Sequence, residues 1–276
     1  MVHRFLPGRL ARATASALPA LSAATALLAF SPAQAAPQVV TITVENLAPA
    51  SGIAFAPLHF GFHSGVFDAF DLGGVATAPI ISVAEGGSGA DWHPAFAAAD
   101  PGAVRGTVGG LLLAGATASL SVVVDPALNP YFTFAAMVVP SNDFFIGNDS
   151  PTRYRVFDAD GTLLTAAIGQ RASQIWDAGS EVFDPAAAAF VGDNGLRTPQ
   201  NSVVAFNFAE LAAFNGLSTG AGYTFTSGLS ADTEIYRISF SAVPVPEPGS
   251  YALLTAGLLA TGWVVRRRRT GMPVPA

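Results

Sequence analysis

The chain has 276 residues, with 13 arginines, no lysine, 19 acidic residues and no cysteine, for a net charge of −6 with His neutral. Between Ala36 and Val245 the balance steepens to 18 acidic residues against six arginines, or −12, which repels nucleic-acid phosphates and anionic head groups and attracts divalent cations. Nucleic-acid binding is excluded on that ground and a disulfide framework by the missing cysteines, while the hydrophobic fraction of 51% is inflated by the two ends.

From the start of the chain, His3, Arg4, Arg9 and Arg12 form a basic region, residues 15–30 are apolar apart from Ser, Thr and Pro, and Ala33-Gln34-Ala35 offers small residues at both cleavage positions. This predicts a signal peptide over 1–35, cleaved after Ala35. About 210 residues follow, enough for one all-β domain with its own core, expected over 36–242. Its strands are read at 39–46, which is β-branched up to Asn46, at 118–124 and at 132–139, all bounded by Gly, Asp, Asn or Pro. Residues 154–157, 158–161 and 162–164 read as strand, turn and strand, and 223–226 and 234–240 close the domain. In the last segment Tyr236, Ile238 and Phe240 share one face and Ile235, Arg237 and Ser239 the other, the pattern of a sheet with one buried face. Segments 185–190 and 209–214 have short helical character, and the Gly-rich stretches around Gly52, Gly73, Gly86 to Gly89 and Gly109 read as loops.

The chemistry lies in loop carboxylates. Pro140-Ser141-Asn142-Asp143 follows the 132–139 strand, and Trp176-Asp177-Ala178-Gly179-Ser180-Glu181 places two carboxylates four apart with a glycine between them, which favours a turned loop. Asp143, Asp177 and Glu181, with Asn142 and backbone carbonyls, offer the oxygen-rich set that Ca²⁺ takes. The alternative is that these acids cap turns by accepting backbone N–H bonds. His59 and His63 share a face on a strand, but no third His or Cys lies near in sequence and Gly61 separates them. Hydrogen-bonded histidines flanking a turn are expected rather than a zinc site. Asp158-Ala159-Asp160-Gly161 opens like a calcium loop, yet Gly169 stands where a bidentate acid belongs, so a hairpin turn is expected. Phe144, Phe145 and Trp176 are a candidate contact patch, with core packing favoured for at least two of them.

Val40 to Asn46, Ala56-Pro57-Leu58-His59, Ala84-Glu85-Gly86-Gly87, the 137–147 block with its Pro-Ser-x-Asp core, and the Trp-Asp-Ala-Gly block at 176–179 together resemble the spondin domain. The resemblance implies an antiparallel β-sandwich related to calcium-dependent membrane-binding sandwiches. It also implies a metal ion held by Asp143, Asp177 and Glu181. Glu181 stands where that family has aspartate, and Phe144 where it has tryptophan.

At the far end, a Pro-rich spacer over 243–250 carries Val245, Pro246, Glu247 and Pro248, a predicted membrane helix occupies 251–265, and Arg266, Arg267, Arg268 and Arg269 form a membrane stop in a basic cytoplasmic tail over 266–276. Fifteen residues at about 1.5 Å each fall short of a hydrocarbon core of roughly 30 Å. Such a marginal span suits a segment held briefly and then removed; an ordinary membrane anchor is the alternative. The tail resembles the PEP-CTERM sorting signal of Gram-negative bacteria, read by an exosortase at the inner membrane. Basic residues at both ends place everything between them outside the cytoplasm.

No Gly-x-Ser-x-Gly elbow, His-Glu-x-x-His motif or Lys-ended phosphate loop is present. The expectation is a non-enzymatic, exported calcium-binding protein of the cell surface or extracellular matrix, acting in adhesion or exopolysaccharide organisation. The alternative is a calcium-dependent carbohydrate- or lipid-binding module.

Overall fold

The structure, a computed structural model, describes residues 36–245, 253, 255–263 and 266. The expected signal peptide, the hook residues Pro246, Glu247 and Pro248, and Arg267, Arg268 and Arg269 lie outside these. In chain order the body contains β1 (Gln38–Asn46), β2 (Ala54–Phe55), β3 (Leu58–His63), α1 (Ala78–Gly86), α2 (Trp92–Ala99), β4 (Val104–Val108), β5 (Thr117–Val124), β6 (Tyr131–Val139), β7 (Phe144–Gly147), β8 (Ala167–Arg171), β9 (Trp176–Asp177), β10 (Ala205–Phe206) and β11 (Glu234–Pro244).

Two antiparallel sheets result. One has the order β5-β1-β11-β8; the other runs β10-β9-β7-β6-β3-β4, with β2 paired to β6. In β1 the β-branched residues alternate. Val40, Ile42 and Val44 are buried, while Thr41 and Thr43 share hydroxyl hydrogen bonds of 2.8 Å with Ser121 and Ser119 of β5 on the outer face. The inward residues meet Phe60, Phe62, Phe132 and Phe134 of the second sheet, joined by Ile238 and Phe240 of β11, in the main core. Each such aromatic or aliphatic side chain contributes roughly 1.5–3 kcal/mol by leaving water.

The second sheet is buried on both faces, which the sequence reading did not foresee. α1 and α2 cover its far side through Ile80, Val83, Trp92 and Phe96, which pack with Phe145 and Trp176. Gly61 makes this cover possible, because a Cβ there would meet the Phe96 ring at 2.0 Å. β7 shows the consequence: Phe144 and Ile146 join the sandwich core and Phe145 the helix-covered one. Phe144, Phe145 and Trp176 are thus all core residues, in line with the core packing favoured for at least two of them.

Neither helix was read from the sequence, and only Gly86 at the end of α1 falls in a stretch expected to be a loop. α1 carries Pro79 in its first turn and ends on Gly87 in the left-handed region (φ 60°), whose N–H bonds the carbonyls of Ser82 and Val83. Segment 185–190 forms turns, and 209–214 falls within a 3₁₀ helix, Phe208–Phe214. Segments 154–157, 162–164 and 223–226 form isolated bridges (Tyr131 with Arg155, Phe157 with Leu163, Ser218 with Thr224) instead of strands. The turn between the first two is as expected: Asp158 Oδ1 accepts from the N–H of Asp160 and of Thr162, at 3.0 and 2.7 Å.

The domain extends past residue 242. Val243 pairs with Val39 and Pro244 with Gln38, and the Val245 N–H donates to the Pro37 carbonyl at 2.8 Å. A proline fits the last rung, where a missing N–H is tolerated. Further on, residues 253, 255–263 and 266 are helical, with Leu253, Leu258, Leu259 and Trp263 exposed. No helix among the described residues is long and apolar enough to cross a membrane; part of the expected 251–265 span lies outside them.

Candidate functional site

The turn between β6 and β7 presents Asp143. Its Ser141 Oγ accepts from the Phe144 N–H at 3.1 Å, and the Ser141 carbonyl accepts from Ala189 N–H at 2.8 Å. The Asn142 amide pairs with the backbone of Asp184, donating to the carbonyl at 3.2 Å and accepting from the N–H at 3.1 Å. Asn142 therefore staples two loops together.

Asp143, 2% exposed, reaches the loop after β9. Its Oδ2 accepts from the Ser180 N–H at 2.6 Å, the Glu181 N–H at 3.0 Å and the Ser180 hydroxyl at 3.1 Å. Asp177, opposite Phe144 in the ladder, accepts from the Gly179 N–H through Oδ1 at 2.7 Å and from Asn207 Nδ2 through Oδ2 at 3.3 Å. Gly179 holds the turn at φ +67°, with backbone of Ser202 and Val203 2.9 Å from where a Cβ would sit. Glu181, 3% exposed, lies 3.0 Å from Arg197 Nη1, and that same nitrogen donates to Glu85 Oε2 at 3.0 Å. The Glu181 contact is one of charge alone, since its Oε1 has no hydrogen-bond partner.

Burial pushes the Asp143 carboxyl up to about 6, assisted by the charge of Asp177 and opposed by the donors from Ser180 and Glu181. Glu181 is pushed up to about 7, first by burial, with Arg197 pulling it down and Glu85 and Asp143 raising it further. Glu210 is raised as well, by burial and by Asp177, with Asn207 opposing. The sequence thus located three carboxylates of a larger group; Glu85, Glu210 and the countercharge Arg197 were not singled out. Glu85 stood within a block noted only for its resemblance, and its ion pair with Arg197 spans 112 positions of sequence.

The set suits Ca²⁺ in kind, because every candidate atom is a carboxylate oxygen and one of them, Glu181 Oε1, is buried without a donor. In assembly, the same carboxylates are partly engaged by protein groups. Asp143 Oδ2 is occupied by three protein donors, Arg197 stands against Glu181, and no group of three or more His, Asp or Glu side chains among the described residues is arranged to hold a metal.

The two histidines of β3 are hydrogen-bonded but lie within the strand instead of flanking a turn. His63 Nε2 meets Thr133 Oγ1 at 2.9 Å, and its Nδ1 accepts from the Gly65 N–H at 3.1 Å, so the ring is neutral. His59 sits 3.0 Å from both Thr107 Oγ1 and the Gly87 carbonyl. The Phe96 ring packs over Gly61 between them, which keeps them from sharing a metal. The nearer neighbour of His59 is His93, at 5.3 Å between ring centroids, with its Nε2 also on Thr107 Oγ1 at 3.0 Å.

A cleft of about 230 Å³ opens beside β9 and β10, lined by Asp149, Arg153, Tyr154, Gln174, Trp176 and Phe206 among others.

Residues 244–269 match the PEP-CTERM protein-sorting motif. That motif marks exported proteins whose membrane-held precursors are processed by exosortase. No curated protein matches the chain.

Proposed function

We propose that this chain is an exported, exosortase-processed surface or extracellular-matrix component of a Gram-negative bacterium, whose antiparallel β-sandwich binds a partner instead of transforming one. The match of residues 244–269 to the sorting motif is the observation that carries this reading. The spondin-like character rests on the sequence blocks together with the antiparallel two-sheet architecture and the contact between Asp143 and the 177–181 loop. Adhesion or exopolysaccharide organisation then follows from many copies displayed on one surface.

Ca²⁺ belongs to the proposal with Asp143, Asp177 and Glu181 as its holders. When bound, the ion would supply positive charge to a loop region where burial makes the Asp143 and Glu181 carboxyls resist ionisation. The residues themselves tie the β6–β7 turn to the 177–181 loop, and Arg197 supplies countercharge to Glu181 and Glu85.

The test is mass spectrometry of the mature protein recovered from its own cells. A C-terminus at or next to Val245-Pro246-Glu247-Pro248 is expected. A chain that still carries Arg266 to Arg269 overturns the processing and makes the tail an ordinary anchor.

A further inference from the structure

The cleft beside β9 and β10 has a composition that the acidic loop does not explain. Its aromatic element is Phe206, 46% exposed, stacked at 3.8 Å between ring centroids on a nearly buried Trp176. The Trp176 indole is fixed from behind, since its Nε1 donates to the Gly147 carbonyl at 3.3 Å and Phe70 packs edge-on at 5.0 Å. An exposed ring on a rigid support is a preformed apolar platform, and it loses little conformational entropy when something settles on it.

Around the platform stand unused polar groups. The guanidinium of Arg153 packs on the Tyr154 ring at 5.9 Å, and neither it nor the Asp149 carboxylate has a hydrogen-bond or ion-pair partner among the described residues. Gln174 uses Oε1 to accept from the Arg171 N–H at 2.9 Å, which leaves its amide NH₂ for another partner. The cleft therefore offers donors from Arg153 and Gln174 and acceptors from Asp149, side by side, next to an aromatic face.

We propose that this cleft binds one sugar residue, free or within a polysaccharide, through its vicinal hydroxyls and an apolar face of its ring. A hydroxyl both donates and accepts, so a diol satisfies a carboxylate and a guanidinium at once. A phosphate or carboxylate ligand meets Asp149, and a quaternary ammonium meets Arg153. The volume of about 230 Å³ lies below the roughly 300–1,000 Å³ of pockets for drug-sized ligands, which fits a single ring. The proposal deepens the partner-binding reading by naming a ligand class, but it rests on neither the calcium ion nor tail processing.

The experiment is calorimetric titration of the full chain with methyl glycosides of glucose, galactose, mannose and N-acetylglucosamine, with glucuronate and choline as controls and with EDTA present throughout. Native electrophoresis through gels containing dextran or mannan separates a site for free sugar from one for chain-internal residues. At least one neutral glycoside is expected to bind at millimolar concentration and more tightly than glucuronate or choline. Phe206→Ala and Arg153→Ala, both at exposed positions and checked for wild-type melting, should each weaken it about tenfold or more. Binding of none of the glycosides or polysaccharides, preference for glucuronate or choline, or affinity unchanged in both variants overturns the proposal. Binding that appears only when Ca²⁺ replaces EDTA would return the ligand to the calcium reading and overturn this one too.

Discussion

His63 and Glu181 are both buried ionisable groups in the same domain, and protons act on them in opposite directions. Burial holds His63 down to about 4, against the pull of Asp100, and its two nitrogens are committed to Thr133 and Gly65 as a neutral ring. Burial pushes Glu181 up to about 7 even with Arg197 beside it. A histidine depressed from 6.5 stabilises the fold above that value, and this contribution is lost as pH falls towards 4. Carboxyls raised from 3.8 and 4.5, as in Asp143 and Glu181, stabilise below those values and lose that contribution as pH rises through about 6 and 7. The two regions thus offset each other over one window, and only site-specific changes expose either. What differs physically is the partner. The ring is satisfied as a neutral group, whereas the acidic loops retain charges that crowd one another.

Arg197→Ala attacks the acidic side most directly. With the guanidinium gone, Glu181 and Glu85 lose their cation, and a loss of about 3–4 kcal/mol at pH 8 is expected from urea denaturation. The loss should shrink at pH 5, where Glu181 takes up a proton; an equal loss at both pH values breaks the comparison.

On the neutral-ring side, wild type and His63→Asn should be compared across pH. The stability difference in favour of wild type is expected to grow by about 2 kcal/mol between pH 4 and 6.5, allowing for partial solvation of the ring. A difference that stays constant means that His63 does not titrate as its surroundings require.

The smallest effect concerns the ion. Free Ca²⁺ at ten times its Kd stabilises by about 1.4 kcal/mol, read as a rise in Tm that Asp143→Asn combined with Asp177→Asn should abolish. Arg197→Ala should respond more strongly than wild type, because ion and guanidinium serve the same carboxylates. No response to millimolar Ca²⁺ in either protein removes the calcium reading.

The sheet β5-β1-β11-β8 was legible because one of its faces meets solvent. Val40, Ile42 and Val44 alternate with Thr41 and Thr43, and Tyr236, Ile238 and Phe240 with Arg237 and Ser239. The second sheet was harder to read, because burial on both faces erases alternation: β6 is buried at every position after Tyr131. β7 looked like part of a loop, since Asn142 and Asp143 precede it and only four residues pair. α1 and α2 gave little helical signal, α1 because Ile80, Ile81 and Val83 are β-branched and α2 because Pro94 sits in its first turn. Packing against the sheet forms these helices where propensity does not.

At the acidic loops, the encounter of Asp143 with the 177–181 turn was readable from two short motifs. The ion pairs of Arg197 were not, because a salt bridge across 112 positions leaves no local pattern. The cleft escaped for a related reason: Phe206 stacks on Trp176 through the pairing of β10 with β9, two strands of two residues each.

The placement of β11 has a mechanical side. It lies between β1 and β8, and its last rung, Pro244 opposite Gln38, is where the match to the sorting motif begins. For a chain held by its C-terminal end, drag on the domain enters along the axis of that strand. Inter-strand hydrogen bonds stand across this axis, so the rungs to β1 as far as Pro244, backed by β8 up to Ser239, are loaded in shear instead of being unzipped one after another. An interior strand as the tether point resists pulling better than an edge strand of equal length.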